Sequence, residues 1–180
     1  KGFVMENSKK AVILVGHGGL PSDIPSEVVE KFMRVHKGRI KSGGPITDHE
    51  IELDTTIRKW ERTPENDPYK TGLESLASHM EAMLEGYILK TAYNEFCYPG
   101  IEDAVDELSK ENVTKIIIVT TMITRGGSHS ENEIPEELSD LSNKYPGIDI
   151  QYAWPYDMNV FASFLTTHIK EFNPLGSATN

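Results

Sequence analysis

The sequence predicts an α/β fold, a three-layer domain whose four-stranded, mostly parallel sheet is flanked by helices. The first observation behind this prediction is a pair of short apolar runs, 11–15 and 115–120, rich in isoleucine and valine. Such runs are typical of strands buried on both faces, as in a parallel sheet. The second observation is that strand-like and helix-like segments alternate along the chain, which favours parallel strands joined by helices.

Four segments are predicted as strands because each is short, apolar and rich in β-branched or aromatic residues. They lie at 11–15, about 87–93, 115–120 and about 148–154.

Five helices are predicted from apolar residues that recur at helical spacing. The first begins at about Pro25, because proline suits a first helical position, and ends at about His36. The others lie at about 68–84, 100–110, 135–143 and 158–171. Their apolar faces comprise, in order, Leu73, Leu76, Ala77, Met80 and Leu84; Ile101, Ala104, Val105 and Leu108; Leu138 and Leu141; and Val160, Phe161, Phe164, Leu165 and Ile169.

One domain is expected at 11–172, with an N-terminal extension at 1–10 and a C-terminal tail at 173–180. Within the domain, 38–66 is predicted to be an irregular insertion because it contains several glycines and prolines. Only the stretch 51–60 in that insertion has a pattern that suits a short helix.

The composition narrows the classes of function. A chain of 180 residues with 38% hydrophobic and 26% charged residues is ordinary for a globular domain. The net charge of −10 argues against nucleic-acid binding, which requires a basic surface. The lone Cys97 excludes an intrachain disulfide and a cysteine-based zinc site, and it is expected to be a small buried side chain.

A cytoplasmic location is expected, with no membrane partner. No apolar run approaches the roughly 20 residues of a membrane span. The first residues lack the apolar core of a signal peptide, and a lone thiol suits a reducing compartment.

Two histidines follow predicted strands in glycine-rich turns. His17 lies in Gly16–Gly19 directly after the first strand, and His129 lies in Gly126–Ser130 shortly after the third. Ligands of parallel sheets bind at the carboxyl ends of the strands, so both histidines are expected at a functional crevice. Histidine exchanges protons near neutral pH and is the commonest metal ligand, so both are candidate catalytic residues and metal ligands.

Further candidates surround these turns. Glu95 follows the second strand, and Glu133 lies four residues after His129, where a carboxylate can orient an imidazole or relay its proton. The alternative for Glu133 is a capping box with Ser130. Candidate ligand-binding residues in the two turns are Gly18, Gly19, Arg125 and Ser128. The remaining histidines, expected to be solvated, are His36, His49, His79 and His168.

The basic segment 34–41 stands out in an acidic protein. Cations at the end of a helix interact favourably with the helix dipole, which is one explanation for the segment. The other is contact with carboxylates of a ligand.

The chain resembles the sirohydrochlorin chelatases, the class II tetrapyrrole chelatases, over about 11–172. The segment 119–135 is similar to the second signature of that family, and Val15–Gly18 is similar to the first. The segments 93–99 and 152–155 resemble the branch that inserts cobalt during cobalamin synthesis.

The resemblance implies a sirohydrochlorin cobaltochelatase that inserts a divalent ion, most readily Co²⁺, for cobalamin biosynthesis, with no cofactor beyond that substrate ion. His17 and His129 match the active-site histidines, as metal ligand and proton acceptor, and Glu95 and Glu133 match acidic positions. Gly19 stands where many members have serine. The family's one-domain members imply a homodimer that binds the tetrapyrrole in its cleft.

Three alternatives accompany this reading. The first is a ferrochelatase for siroheme synthesis, since imidazole and carboxylate ligands do not separate Co²⁺, Fe²⁺ and Ni²⁺. The second is a non-enzymatic metal or tetrapyrrole carrier. The third, a histidine phosphatase, is disfavoured because Gly16 occupies the position before His17 where such an enzyme needs arginine.

Overall fold

The computed structural model describes residues 8–172. The strands are β1 (Lys9–Gly16), β2 (Tyr87–Tyr93), β3 (Val113–Thr120) and β4 (Asp149–Tyr152). The α-helices are α1 (Ser26–Ser42), α2 (Asp48–Arg58), α3 (Pro68–Glu81), α4 (Ile101–Ser109), α5 (Ile134–Lys144) and α6 (Met158–Phe172). A single π-helical turn, His129–Glu133, precedes α5.

All four strands pair in parallel, in the order β2-β1-β3-β4. The predicted α/β fold is therefore confirmed, and the sheet is parallel throughout its described length. β1 and β3 occupy the centre. The pairing of β1 with β2 ends at Gly16 and Tyr93, so the loops that follow these strands leave the sheet side by side.

The core has two parts, one on each face of the sheet. On one face, α4 and α5 cover the central strands, and Ile13, Ile116 and Ile118 are fully buried there. On the other face, α3 packs Leu73 and Ala77 against β1 and β2. This explains why the strand sequences are apolar at consecutive positions, because both faces of the sheet lie under helices.

The prediction that 38–66 is irregular is wrong for most of its length. α1 continues through Gly38 to Ser42 and ends at Gly43, which adopts a left-handed conformation (φ 65°). α2 begins after Thr47, whose side chain accepts a hydrogen bond from the Glu50 amide. The glycine and proline residues at 43–45 separate two helices, whereas the sequence pattern suggested one long loop.

Smaller differences concern the ends of elements. Pro25 is the residue before α1 and lies outside the helix itself. β1 begins at Lys9, within the predicted extension 1–10. The rest of that extension, 1–7, and the predicted tail, 173–180, lie outside the described residues.

α6 differs from the other helices in its surroundings, because none of its residues is buried against the described part of the chain. Cys97 is fully buried, as predicted. Among the helices of residues 8–172, none is long and apolar enough to cross a membrane.

Candidate metal centre

Three loops at the carboxyl edge of the sheet bring His17, Glu95 and His129 together. They follow β1, β2 and β3, which are neighbours in the sheet. His17 Nε2 lies 3.9 Å from one Glu95 carboxylate oxygen, and His129 Nε2 lies 3.8 Å from the other. One ligand atom from each residue lies within 4.8 Å of the other two. The predicted convergence of both histidines is thus present, and Glu95 lies between them.

The hydrogen bonds of the two rings define which nitrogens face the centre. His17 Nδ1 lies 2.9 Å from the Gly18 carbonyl oxygen, and His129 Nδ1 lies 2.8 Å from Glu133 Oε2. The carbonyl and the carboxylate only accept, so in the neutral imidazoles each Nδ1 carries the proton and each Nε2 is a free lone pair. The Asn94 amide nitrogen also lies 2.9 Å from His129 Nδ1 and 3.5 Å from Glu133 Oε2, and with the proton on Nδ1 it donates to the carboxylate. The two rings meet edge to face, with centroids 4.9 Å apart. Both lone pairs are therefore available beside Glu95.

Glu133 orients His129 from the side away from Glu95. The π-helical turn places the Glu133 carboxylate against Nδ1, and Ser128 Oγ donates to the same carboxylate at 3.1 Å. Although burial raises the pKa of Glu133, the hydrogen bonds from His129, Ser128 and Asn94 outweigh it and hold the pKa below its usual range. Glu133 therefore stays ionised and fixes the tautomer of His129. This is the contact that the orienting role predicted for Glu133 requires.

The alternative capping box between Ser130 and Glu133 is absent. Ser130 is buried, and its hydroxyl donates to the Met122 carbonyl at 3.0 Å. Its own carbonyl accepts from the Tyr152 hydroxyl at 3.0 Å. These bonds connect the π-helical turn to the loop after β3 and to β4, and they leave the Glu133 carboxylate available to His129. Single π-turns of this kind often mark functional sites.

Gly18 is required by the packing of the first loop on the second. Its φ is +91°, a conformation that favours glycine, and a Cβ atom here would collide with the Glu95 carbonyl oxygen. The Glu95 amide also donates to the His17 carbonyl at 2.8 Å. Gly19, in contrast, has open space around the position of a Cβ atom, so the packing of the protein itself does not require glycine there, and its ligand-binding role stays a prediction.

Sequence reasoning missed Arg62 and Tyr69, which hydrogen-bond to the loops that bear the candidate ligands. Arg62 is buried, pairs with Asp67, and donates to the Gly19 carbonyl at 2.7 Å and to the Phe96 carbonyl. It thereby ties the His17 loop to the Glu95 loop. The Tyr69 hydroxyl accepts from the His17 amide at 2.8 Å. Neither residue lies in a motif, so no signal in the sequence singled them out.

The other predicted site residues divide into two groups. Ser128 contacts Glu133, as described above. Arg125 is 68% exposed and pairs with Glu131, with Nε 3.1 Å from the carboxylate, so it does not join the triad of His17, Glu95 and His129. Among the histidines expected to be solvated, His36 is the exception, because its Nδ1 bonds to the buried carboxylate of Glu50 at 2.8 Å.

The donor set suits a divalent transition metal that is held and then released. Two imidazoles and a carboxylate match Co²⁺, Fe²⁺, Ni²⁺ or Zn²⁺. Metal–ligand distances of about 2.0–2.2 Å put neighbouring ligand atoms closer together than the 3.8 and 3.9 Å seen here, so small side-chain shifts would close the centre on an ion. The three side chains are 26–43% exposed, which leaves open coordination positions for a second molecule.

A cleft of about 410 Å³ adjoins the centre. Asn94, Glu95, Phe96 and Glu133 line one part of it, and residues of α1 and α2 line the rest. Residues of the stretch 38–66, which the sequence pattern predicts to be irregular, thus line the cleft beside the candidate metal centre.

The fold and this centre together define a class, namely parallel α/β proteins that present an open histidine–carboxylate metal site at one sheet edge. The family model described as CbiX matches residues 65–162, more than half of the chain. The chain therefore belongs to the CbiX family, in agreement with the resemblance to class II chelatases.

Named relatives share shorter or more distant similarity. A sirohydrochlorin ferrochelatase from Priestia megaterium is 25% identical over 87 residues, which cover 48% of this chain and 32% of that protein. The chain thus spans about a third of the length of this curated relative.

Two solved structures share the fold. A CbiX protein of cobalamin (vitamin B12) biosynthesis from Marinobacter aquaeolei VT8 has TM-score 0.54 and 16% identity, covering 92% of this chain and 98% of that one. SirB from Bacillus subtilis with Fe³⁺ has TM-score 0.52 and 18% identity, covering 92% and 48%.

The contrast between Gly18 and Gly19 provides a first prediction. Gly18→Ala should lower the free energy of unfolding by more than about 2 kcal/mol, because it combines a left-handed backbone with a backbone collision. The affinity for Co²⁺ should also fall, because the loops that bear His17 and Glu95 would separate. Gly19→Ala is the matched control and should change stability by less than about 1 kcal/mol. Urea denaturation and Co²⁺ titration measure both, and equal effects of the two substitutions would contradict the packing described.

The hydrogen bond between Glu133 and His129 provides a second prediction. Glu133→Gln should lower Co²⁺ affinity by about 10- to 100-fold, because the amide no longer stabilises the bound orientation and basicity of the imidazole. Glu136→Gln, on the exposed side of α5, is the control and should bind like the wild type. Because the fold holds the pKa of Glu133 below its usual value, the ionised carboxylate and its hydrogen bond to His129 are present above the usual carboxylate pKa. Both are lost as pH falls through the lowered pKa of Glu133. Unchanged affinity in Glu133→Gln would exclude the orienting role.

Proposed function

We propose that this chain is a chelatase that inserts a divalent metal ion into sirohydrochlorin. The observation that carries the proposal is the open centre of His17, Glu95 and His129, with two Nε2 lone pairs facing one carboxylate. Membership of the CbiX family and the similarity to a sirohydrochlorin ferrochelatase support it. The reaction exchanges one divalent ion for two pyrrole protons, so the site must both deliver a cation and accept protons.

The two histidines suit different halves of this exchange. We assign the proton-acceptor role to His129, because its Nδ1–H donates to the carboxylate of Glu133, which faces the charge that a proton on Nε2 would bring. His17 has a backbone carbonyl at its Nδ1 and lies beside Glu95, and we assign it the metal-ligand role. All three groups can hold the ion with open positions before transfer, and the Nε2 lone pair of His129 becomes available to a proton once the ion has passed to the four nitrogens of the macrocycle.

For the physiological metal we propose Co²⁺, following the resemblance of 93–99 and 152–155 to the cobalt branch. Fe²⁺, for siroheme synthesis, is the alternative, because the named relative from Priestia megaterium is a ferrochelatase. The ligand types accept both ions. A direct comparison of the two ions in one assay, under anaerobic conditions, therefore decides between them.

Metalation kinetics test the proposed activity. The wild type should accelerate the absorbance change of sirohydrochlorin with Co²⁺ above the uncatalysed rate. His17→Ala and His129→Ala should each reduce this acceleration by at least about 100-fold, because each removes one of three groups that act as a unit. His79→Ala, an exposed histidine on α3, is the control. Tetrapyrrole or metal binding without acceleration by Co²⁺, Fe²⁺ or Ni²⁺ would instead identify a carrier.

We also propose that the chain forms a homodimer through α6. Six large apolar side chains of α6, at 43–78% exposure, are uncovered within the described residues: Met158, Val160, Phe164, Leu165, Ile169 and Phe172. At 100° per residue the apolar positions occupy roughly 180° of the helix, wider than the stripe of an ordinary surface helix. At about 100 Å² each, pairing α6 with its copy would bury about 1,200 Å² in total, the lower limit of a stable interface.

Substitution on this face tests the dimer. Phe164→Glu should convert a dimer into a monomer, because it places like charges and an unpaired carboxylate in the symmetric contact. Thr166→Glu, on the polar side of α6, is the control. Light scattering after size-exclusion chromatography gives the mass. A wild-type monomer, or a dimer that persists in Phe164→Glu, would exclude this interface and leave the face for another partner or for residues outside 8–172.

A further inference from the structure

The cleft beside the metal centre has a second wall that the proposed reaction does not explain. Glu95 and Glu133 line the side next to the histidines, whereas Phe32, His36 and Arg39 of α1 line the other. The wall includes part of the basic segment 34–41 singled out in the sequence. Its apolar surface suits the face of a macrocycle. Its charged groups require a separate explanation.

Glu50 of α2 is the anchor of this wall. Its side chain is buried, with 2% relative exposure to solvent. One carboxylate oxygen lies 2.8 Å from His36 Nδ1, and the other accepts from Arg39 Nε at 2.7 Å. Buried carboxylates are stable only with such partners. Glu50 therefore locks both α1 side chains in fixed positions.

The way Arg39 is held leaves its outer donors free. Glu50 accepts from Nε, and in residues 8–172 neither terminal nitrogen of Arg39 donates to a carboxylate or a carbonyl; Nη2 lies 3.4 Å from His36 Nδ1. His36 Nδ1 faces Glu50 and carries the proton in the neutral imidazole, so the donors that remain for a ligand are those of Arg39. The Arg39 side chain is 24% exposed and lines the cleft, so these donors are accessible from it. His36 is also stacked on Phe32, with ring centroids 5.3 Å apart.

Arg58, the other arginine of the cleft, is different in this respect. Its Nε donates to Asp54, and its two terminal nitrogens donate to the carbonyls of Cys97 and Asn94. All three of its nitrogens are thus used, and the two terminal ones hold α2 against the loop after β2. Arg39 is consequently the arginine of this cleft whose two terminal nitrogens remain available to a ligand. Paired N–H donors of that kind suit a carboxylate.

We propose that Arg39, held in place by Glu50 beside His36, binds a carboxylate side chain of the tetrapyrrole and thereby sets its orientation over the metal centre. This inference rests on the proposed function and names how its substrate is recognised. A protein with net charge −10 repels an acidic substrate at long range, so recognition requires a local cation with unused donors. The carboxylate would sit at the α1 wall, opposite Glu95 and Glu133.

Titration of metal-free sirohydrochlorin, followed by quenching of protein fluorescence, tests the inference without requiring turnover. Arg39→Gln should raise the Kd at least about tenfold, because it removes charge-assisted hydrogen bonds. Arg34→Gln is the matched control, with the same loss of charge on the exposed side of α1, and should change the Kd less than twofold. In the metalation assay Arg39→Gln should raise KM and leave kcat within about twofold. Equal weakening by both substitutions would overturn the inference in favour of general electrostatics.

A double substitution separates recognition from a merely structural role. If Arg39 serves only to neutralise Glu50, Arg39→Gln/Glu50→Gln should restore wild-type binding, and that result would overturn the inference. If Arg39 contacts the substrate, the double variant should bind as weakly as Arg39→Gln, while its urea midpoint returns towards the wild type. Failure of the wild type to bind sirohydrochlorin would instead refute the proposed function. Wild-type binding that Arg39→Gln leaves unchanged would refute this inference alone.

Discussion

The parallel pairing of β1 between β2 and β3 is the constraint on which the rest of the structure depends. Parallel strands end at the same edge, so the loops after three neighbouring strands must emerge together. His17, Glu95 and His129 are far apart in sequence, yet each lies only a few residues beyond such an end. A rigid sheet buried on both faces positions them, and the loops contribute only short local geometry.

Buried charged groups hold the loops and helices around the metal centre in place. Arg62 ties the loops after β1 and β2 to each other, and Glu50 ties α1 to α2 along the cleft. Both carboxylate oxygens of Glu50 and both terminal nitrogens of Arg62 are hydrogen-bonded, and such partners are the condition under which a buried charge is tolerated. The apolar core therefore determines the fold, whereas these polar anchors determine the shape of the walls around the centre.

Much of this was predictable from the sequence. The apolar strands carry a strong local signal, and His17 and His129 follow them directly, so both the sheet and the convergence of the histidines could be expected. The helical nature of 38–66 could not, because α2 is weakly amphipathic and Gly38 lies inside α1. The contacts of Arg62, Tyr69 and Glu50 join residues distant in sequence, and no local pattern encodes such pairs. The packing of Gly18 on Glu95 became evident only once the two loops were seen together.

That packing has a mechanical consequence for the centre. With the Gly18 backbone against the Glu95 carbonyl, and the Glu95 amide bonded to the His17 carbonyl, the two loops form one body. A backbone displacement of the Glu95 loop must therefore carry the His17 loop with it. Adjustment of the centre around an ion would come from side-chain rotation within this body and from motion of the π-helical turn, which bears His129, relative to it.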